Sequence, residues 1–242
     1  MKYLATPKLQ LALILLAIIL FHLISNFSLY LLVYFVITIS LTVFVDYLFI
    51  WSRKIKPFLL SGAVVTGSII SLLYSPKNSF LELFIIIVLA IASKHFIKYK
   101  GRHIFNPAVF GLFLGSLIFK IPVAWWGVSS NSWLISILLF STAYVSIFRS
   151  RKIFAILSFL IIYNIGTFFL NGYVNPLDPV IVFFSLVMLP EPMTSPNNRL
   201  KQIYFGTVTA VMLIFLSRII FIPEVLLGSL LLSNLVFLKN SS

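Results

Sequence analysis

Long apolar runs separated by short polar or basic stretches repeat along the whole chain. A helix that crosses a membrane needs about 20 apolar residues to span roughly 30 Å of hydrocarbon. Ten runs meet this pattern in full or in part, and they predict helices over Leu9–Ser25, Leu29–Ile50, Phe58–Tyr74, Ser79–Ile97, Ile104–Phe119, Ser132–Phe148, Ile153–Leu170, Asn175–Leu189, Ile203–Phe221 and Glu224–Leu238. The predicted fold class is an all-α polytopic membrane protein with about ten transmembrane segments.

Two of these runs, Ile104–Phe119 and Asn175–Leu189, are short for a full crossing. Short segments interrupted by proline or glycine often form half-helices around a binding site at mid-membrane. Ten segments also divide into five plus five, and two halves with an odd number of crossings have opposite orientations. We therefore expect a single transmembrane domain over residues 1–242, with an inverted repeat formed by residues 1–120 and 131–242.

The distribution of basic residues gives an independent check on the number of membrane-crossing segments. If all ten segments cross, the N-terminus, alternate loops and the C-terminus share one side, and all but three of the 18 lysines and arginines lie there. The exceptions are Lys77, Lys120 and Arg218. Because cytoplasmic loops carry an excess of positive charge, we expect a protein of the cell (inner or cytoplasmic) membrane with both termini in the cytoplasm. The opening Met1–Ile24 lacks a small-residue cleavage site and is expected to remain as the first helix.

Composition excludes several classes of function. Hydrophobic residues make up 61% of the chain and charged residues only 10%, which is outside the range of soluble domains. The net charge of +13 does not indicate nucleic-acid binding, because the basic residues lie between apolar runs rather than on one soluble face. Without cysteine there is no disulfide and no thiolate-held iron–sulfur cluster. The three histidines show no pairing across predicted helices, so no haem is expected, and a redox centre would be organic.

Lys94–Gly111 (KHFIKYKGRHIFNPAVFG) is a polar break that leads directly into an apolar run. Proline biases the residue before it away from helix, which predicts extended backbone at Asn106 and the first helical turn at Pro107. The free N–H groups and positive dipole end of that helix, with Lys98 and Arg102 nearby, predict an anion site. The alternative is an ordinary turn and helix start with cytoplasmic positive charge.

Leu189–Arg199 (LPEPMTSPNNR) is the second polar break. Its three prolines forbid a continuous helix, while Glu191, Thr194 and Ser195 offer hydrogen-bonding groups and Arg199 adds positive charge. The charge pattern places this break on the same side as the first, so we expect the two to meet around one ligand. The alternative is an ordinary proline-rich loop.

Small residues are concentrated in the third run, at Ser61–Ser68 (SGAVVTGS). Gly62, Thr66 and Gly67 would either let a flat ligand approach the backbone or let neighbouring helices pack closely, and close packing is the favoured interpretation.

Three further residues carry local predictions. Asp46 lies inside an apolar run, where a charge is costly, and we expect it to pair with Arg53 or Lys54. Trp125 and Trp126 are expected to be anchors at a membrane interface, with stacking on a ligand ring as the alternative.

Three stretches resemble the RnfD/NqrB family, the integral D subunit of the Rnf electron-transport complex and the B subunit of the sodium-pumping NADH:quinone reductase. They are SGAVVTGSIISLLYSP (Ser61–Pro76), the Lys94–Gly111 break, and MLPEPMTSPNNRLKQIYFG (Met188–Gly206). They are similar to the small-residue helix ending in proline, the FNPA signature and the acidic-Pro-x-Thr-Ser-Pro signature of that family, in the same order. The resemblance implies a fold akin to that of urea transporters. It also implies bound flavins that pass electrons through the membrane.

One departure changes what the resemblance implies. Family members with covalent FMN attach it to a threonine after the FNPA helix, and the corresponding loop Lys120–Trp133 contains no threonine. The expected cofactor is therefore FMN or riboflavin held noncovalently. The candidate cofactor-binding residues are Gly62, Thr66, Gly67, Lys98, Arg102, Asn106, Pro107, Glu191, Thr194, Ser195 and Arg199.

The expected function is that of an integral electron-transfer subunit that is not autonomous as an enzyme, and the resemblance implies coupled ion movement in the full complex. Its expected partners are membrane lipid and other redox subunits, including a cytoplasmic NAD(P)H-flavin donor. The alternatives are a channel or transporter for a small solute such as riboflavin, and a subunit that only scaffolds its partners.

Overall fold

The computed structural model describes residues 6–25, 27–54, 61–129, 133–219 and 224–238. Within them the fold is all-α, with ten helices and one two-stranded hairpin. The helices are α1 (Pro7–Ser25), α2 (Leu29–Ser52), α3 (Ser61–Leu73), α4 (Phe80–Phe96), α5 (Pro107–Phe119), α6 (Trp133–Tyr144), α7 (Ile153–Asn171), α8 (Pro179–Phe183), α9 (Arg199–Ile219) and α10 (Val225–Val236). Each of the ten predicted runs overlaps one of these helices. The predicted boundaries at Phe58, Ser132 and Phe221 lie outside the described residues.

Two helices continue as a π-helical turn, and a hairpin separates α4 from α5. Val145–Arg149 extends α6 and Phe184–Met188 extends α8. The hairpin pairs β1 (Lys98–Tyr99) with β2 (Arg102–His103) in antiparallel register, Lys98 opposite His103. A π-turn inserts an extra residue into a helix and is frequent at functional sites. Both π-turns immediately precede polar stretches of the chain.

Four of the described helices are long and apolar enough to cross a membrane. They cover Pro7–Ser25, Leu29–Ser52, Ile153–Asn171 and Arg199–Arg218. The 13-residue helices α3 and α5 extend about 20 Å at 1.5 Å per residue, which is less than a bilayer core. The structure is thus that of a membrane protein, while ten crossings remain a prediction.

The first five and the second five helices share three equivalent helix pairs. In the first five, α1 packs on α3, α2 on α4, and α4 on α5, while in the second five α6 packs on α8, α7 on α9, and α9 on α10. The two sets meet where α1 packs on α6 and α5 on α10. Equivalent positions in the two sets therefore contact each other across the middle of the molecule.

Glycines allow the closest helix pairs. A Cβ on Gly111 of α5 would lie 2.6 Å from the Ile86 carbonyl oxygen of α4, and one on Gly206 of α9 would clash with the Ala155 carbonyl and Ser158 hydroxyl oxygens of α7. Without a strong hydrophobic force between helices in lipid, such close backbone packing is a principal source of association.

The loop of residues 120–129 folds back into the molecule and satisfies the C-terminal carbonyl groups of α3. The Trp126 indole Nε1–H donates to the carbonyls of Ser71 (3.1 Å) and Tyr74 (2.9 Å), and the Gly127 N–H donates to that of Leu72 (2.8 Å). Irregular backbone inside a membrane protein requires such internal partners. Trp125 is buried as well, with 8% of its surface exposed. The prediction of two interface anchors is therefore wrong.

Asp46 pairs with α4 rather than with its own helix end. The ammonium Nζ of Lys94 donates to Asp46 Oδ2 at 2.7 Å, and His95 Nε2 lies 2.7 Å from Asp46 Oδ1. Arg53 instead donates to the His95 carbonyl at 2.6 Å, and Lys54 is exposed. The predicted pairing with Arg53 or Lys54 is wrong because packing of α2 on α4 brings Lys94 and His95 to the carboxylate.

Candidate functional site

A cleft opens where the two sets of five helices meet. It is lined by the start of α1, one end of α3, the end of α4, the start of α5, the π-turn after α6 and the break after α8. The space that the centre of a water molecule can reach is about 60 Å³, and the atom-free volume out to the open mouth is about 680 Å³. Because water can reach only a small part of the empty volume, the cleft is narrow.

The two polar breaks meet across this cleft, as the sequence predicted. Asn106 and Pro107 line one wall, and Pro190, Glu191 and Pro192 line another. A direct hydrogen bond joins the breaks, between His103 Nε2 and Glu191 Oε1 at 3.0 Å. The second carboxylate oxygen of Glu191 is buried and forms no hydrogen bond with the described residues. The cleft therefore holds a carboxylate with unused acceptor capacity, whose burial is costly unless a donor reaches it.

Asn106 begins α5 in the predicted way but uses its side chain locally. Its backbone is extended (φ −61°, ψ 121°), Pro107 occupies the first turn, and Asn106 Oδ1 accepts from the N–H groups of Ala108 (3.1 Å) and Val109 (3.4 Å). The next N–H, of Phe110, donates to the Asn106 carbonyl. The expectation of free N–H groups for an anion is therefore wrong, because the cap satisfies them, and only the helix dipole remains.

The small residues of α3 divide between ligand access and packing. Gly62 and Thr66 line the cleft, and among the described residues a Cβ on Gly62 would meet only Lys94 Nζ, at 3.8 Å. Gly67 points to α2, where a Cβ would lie 3.0 Å from Thr42 Oγ1 and 3.1 Å from Ile39 Cα. Gly67 is therefore a packing residue and does not line the cleft.

The positive charge at the cleft comes from lysines that the sequence analysis did not select. Lys8 and Lys94 line it. The selected Lys98 is exposed on the hairpin, and the guanidinium of Arg199 lies over the Phe154 ring, 5.6 Å from its centroid. Arg102 lines a separate small pocket. The hairpin turn places the side chains of Lys98 and Arg102 outside the cleft. Local sequence could not predict this, because Lys94 and Lys98 belong to the same basic stretch.

Ser195 holds the second break in shape from within. Its hydroxyl donates to the Glu191 carbonyl at 2.7 Å, and neither it nor Thr194 lines the cleft. Thr194 lines the small pocket beside Arg102, where its buried hydroxyl has no partner among the described residues.

Lys152 is a functional candidate that the sequence analysis missed. Only 1% of its surface is exposed, and its ammonium donates to the carbonyls of Ser195 (3.0 Å) and Pro196 (2.8 Å) and to Asn197 Oδ1 (2.7 Å). Burial, and secondarily the positive charge of Arg102, lowers the pKa of Lys152 to about 8. Within the basic stretch Arg149–Lys152 nothing local distinguishes this lysine from its neighbours.

Comparison with known proteins gives no assignment. No protein-family model matches the chain, and no curated protein matches it.

Proposed function

We propose that this chain is an integral membrane electron-transfer subunit that holds a flavin, FMN or riboflavin, noncovalently in the cleft. The observation that carries the proposal is the union of both polar breaks in one narrow cleft, through His103 and Glu191. These are the breaks by which the sequence resembles the RnfD/NqrB family.

The side chains of the cleft suit a flat heterocycle. Val65, Ile69 and Val187 offer apolar surface. The Glu191 oxygen that has no partner among the described residues can accept a hydrogen bond from a ring N–H. Lys8 supplies positive charge for ring carbonyls or a phosphate, and the Lys94 ammonium, whose charge is paired with Asp46, can donate a further hydrogen bond to them. A flavin bound there would supply the redox chemistry, and the protein would position it and shape its electrostatics.

The arrangement of helices supports the wider proposal. The three equivalent helix pairs in the two sets of five are what an inverted repeat of residues 1–120 and 131–242 would produce. Ten crossings would place Lys8, Lys94 and Lys152 together at the cytoplasmic face. We propose that a cytoplasmic NAD(P)H-flavin protein gives electrons to the cleft and that a further redox subunit receives them, with ion movement coupled in the assembly.

The decisive test is flavin uptake by the purified protein. We expect the detergent-purified protein to show a flavin absorption spectrum or to quench the fluorescence of added FMN or riboflavin. Val65→Phe, which fills the cleft, should weaken binding at least about tenfold, equivalent to roughly 1.4 kcal/mol. Val211→Phe makes the same change on the exposed face of α9 and should bind as the parent does. Colourless protein that takes up neither flavin would refute the proposal.

Passage of a small solute is the competing function. The cleft is lined by α3 from Gly62 to Ile69, while Leu72 and Leu73 beyond it are fully buried and their carbonyls are bonded to the 120–129 loop. This closed end favours binding over transport. Flux of riboflavin into liposomes that contain the protein, lost in Val65→Phe, would favour the transporter instead.

A further inference from the structure

A second, smaller space shares His103 with the cleft. Its lining includes the hairpin residues Tyr99 and Arg102, Thr194 of the second break, and Asn234 of α10. His103 lines both this space and the cleft. His103 is therefore the residue that the two spaces have in common among the described residues, and its imidazole is bonded to Glu191.

Two polar side chains around this space, Thr194 and Asn234, are buried and without partners among the described residues. Asn234 is 2% exposed and Thr194 is 6% exposed, yet the Thr194 hydroxyl and both the oxygen and the nitrogen of the Asn234 amide form no hydrogen bond there. Buried polar atoms nearly always have partners, and an ordered water commonly supplies them. Three buried polar atoms without hydrogen-bond partners among the described residues indicate an occupant that both donates and accepts hydrogen bonds.

The size of the space selects the occupant. The volume that a water centre can reach is about 10 Å³, which is close to the minimum for one buried water that has two to four polar partners. Arg102 on the wall disfavours a cation, and the lack of room disfavours an organic molecule. Water meets the hydrogen-bonding need of Thr194 and Asn234 within that volume.

We propose that this pocket holds water and that His103 passes protons between it and Glu191 in the cleft. The water side gives a proton to one nitrogen of the imidazole, and Nε2–H gives its proton to Glu191 Oε1. The ring thus returns to its neutral form as the other tautomer, and one proton is gained at the cleft for one lost at the water. Histidine suits this role because its two nitrogens exchange donor and acceptor functions near neutral pH.

Charged groups lie along this route. Glu191 is bonded to His103, Arg102 lines the small pocket and Lys94 lines the cleft. Tyr99 and Arg102, both exposed, connect the pocket to the surface. Delivery of protons to a reduced flavin rests on the proposed function, whereas the route itself does not require a flavin.

The test is the solvent exchange of the His103 ring N–H, measured by NMR on protein labelled with nitrogen-15 in its three histidines. Substitution of His22 and of His95 by Gln assigns the signals. Asn234→Leu removes the amide at nearly constant volume, and it should slow His103 exchange about tenfold, the effect of one lost bridging hydrogen bond. Thr194→Val should act in the same direction.

Two controls make the result specific. Asn164→Leu makes the same change in α7, where the amide does not line the pocket, and should leave His103 exchange unchanged. The ring of His95, bonded to Asp46, should keep its rate in every variant. Unchanged His103 exchange in folded Asn234→Leu or, if that variant fails to fold, in Thr194→Val would overturn the proposal. Because no flavin is added, this outcome is independent of whether the cleft binds one.

Discussion

Two glycines five residues apart on α3 have different roles because they point in different directions. Gly62 faces the cleft, where the nearest atom to an added Cβ is Lys94 Nζ at 3.8 Å. Gly67 faces α2, where an added Cβ would press on the Ile39 backbone at 3.1 Å. Sequence spacing alone assigns both to one motif, and only the identity of the neighbouring helix separates packing from ligand access.

We therefore predict that two matched glycine-to-alanine variants differ in their free energy of unfolding. Gly67→Ala should lower the free energy of unfolding by about 1–3 kcal/mol, because α2 must move to accept the methyl group. Gly62→Ala should leave it unchanged or raise it by up to about 1 kcal/mol, because alanine favours helix and meets no close atom. Denaturant unfolding in detergent measures both. Equal losses in the two variants would contradict the assignment of Gly67 to packing.

At the scale of elements, the break between α8 and α9 is shaped by a side chain from the start of α7. Three prolines remove helical structure from this segment, and the Lys152 ammonium binds two of its carbonyls and one of its amides. Ser195 adds a bond within the segment, to the Glu191 carbonyl. Glu191 is thus held toward the cleft by contacts on both sides, one to His103 and one through its own backbone.

The burial of Lys152 against this segment predicts that stability depends on pH. The pKa of Lys152 is lowered to about 8 in the folded chain, below its ordinary 10.5. Between those values the unfolded chain binds more protons, so the free energy of unfolding should rise with pH across that window, by about 1–3 kcal/mol. Lys152→Met should abolish that rise and destabilise the protein at neutral pH by leaving buried carbonyls unpaired.

Unfolding of the parent and Lys152→Met at a series of pH values gives the measurement. The difference between the two removes titrations that they share. A parallel dependence in both proteins would show that Lys152 does not titrate in this range.

At the scale of the whole molecule, the cleft and the 120–129 loop define two ends of the helix bundle. The start of α1, the start of α3 and the start of α5 contribute to the cleft. His22 near the other end of α1 contacts the Gly127 carbonyl, and the end of α3 is bonded to the same loop. Helices α1 and α3 therefore run from one end of the bundle to the other, although only α1 is long enough to span a bilayer alone.

The topology can be tested directly because the chain contains no cysteine. If ten segments cross, Lys77→Cys and Tyr173→Cys should react with a membrane-impermeant maleimide added to intact cells, and Lys100→Cys should react only after lysis. All three side chains are exposed in the structure, so differences in labelling report the side of the membrane. Labelling of Lys100→Cys together with the other two would contradict the ten-crossing arrangement.

Local sequence patterns were enough to predict the helices, the two breaks and the start of α5. These features depend on nearby residues: apolar runs favour helix, prolines interrupt it, and Asn106-Pro107 caps and begins it. The same local signals identified six of the residues that line the cleft or shape its wall: Gly62, Thr66, Asn106, Pro107, Glu191 and Ser195.

The partners of the charged and aromatic side chains follow from long-range packing and could not be predicted from local sequence. Lys94 lines the cleft and Lys98 does not, Asp46 pairs with α4, Trp126 binds the end of α3, and Lys152 holds a segment more than forty residues away. Each of these depends on which helices become neighbours. A charge or indole in an apolar setting needs a partner, and its partner can lie anywhere in the chain that packing brings within hydrogen-bonding distance.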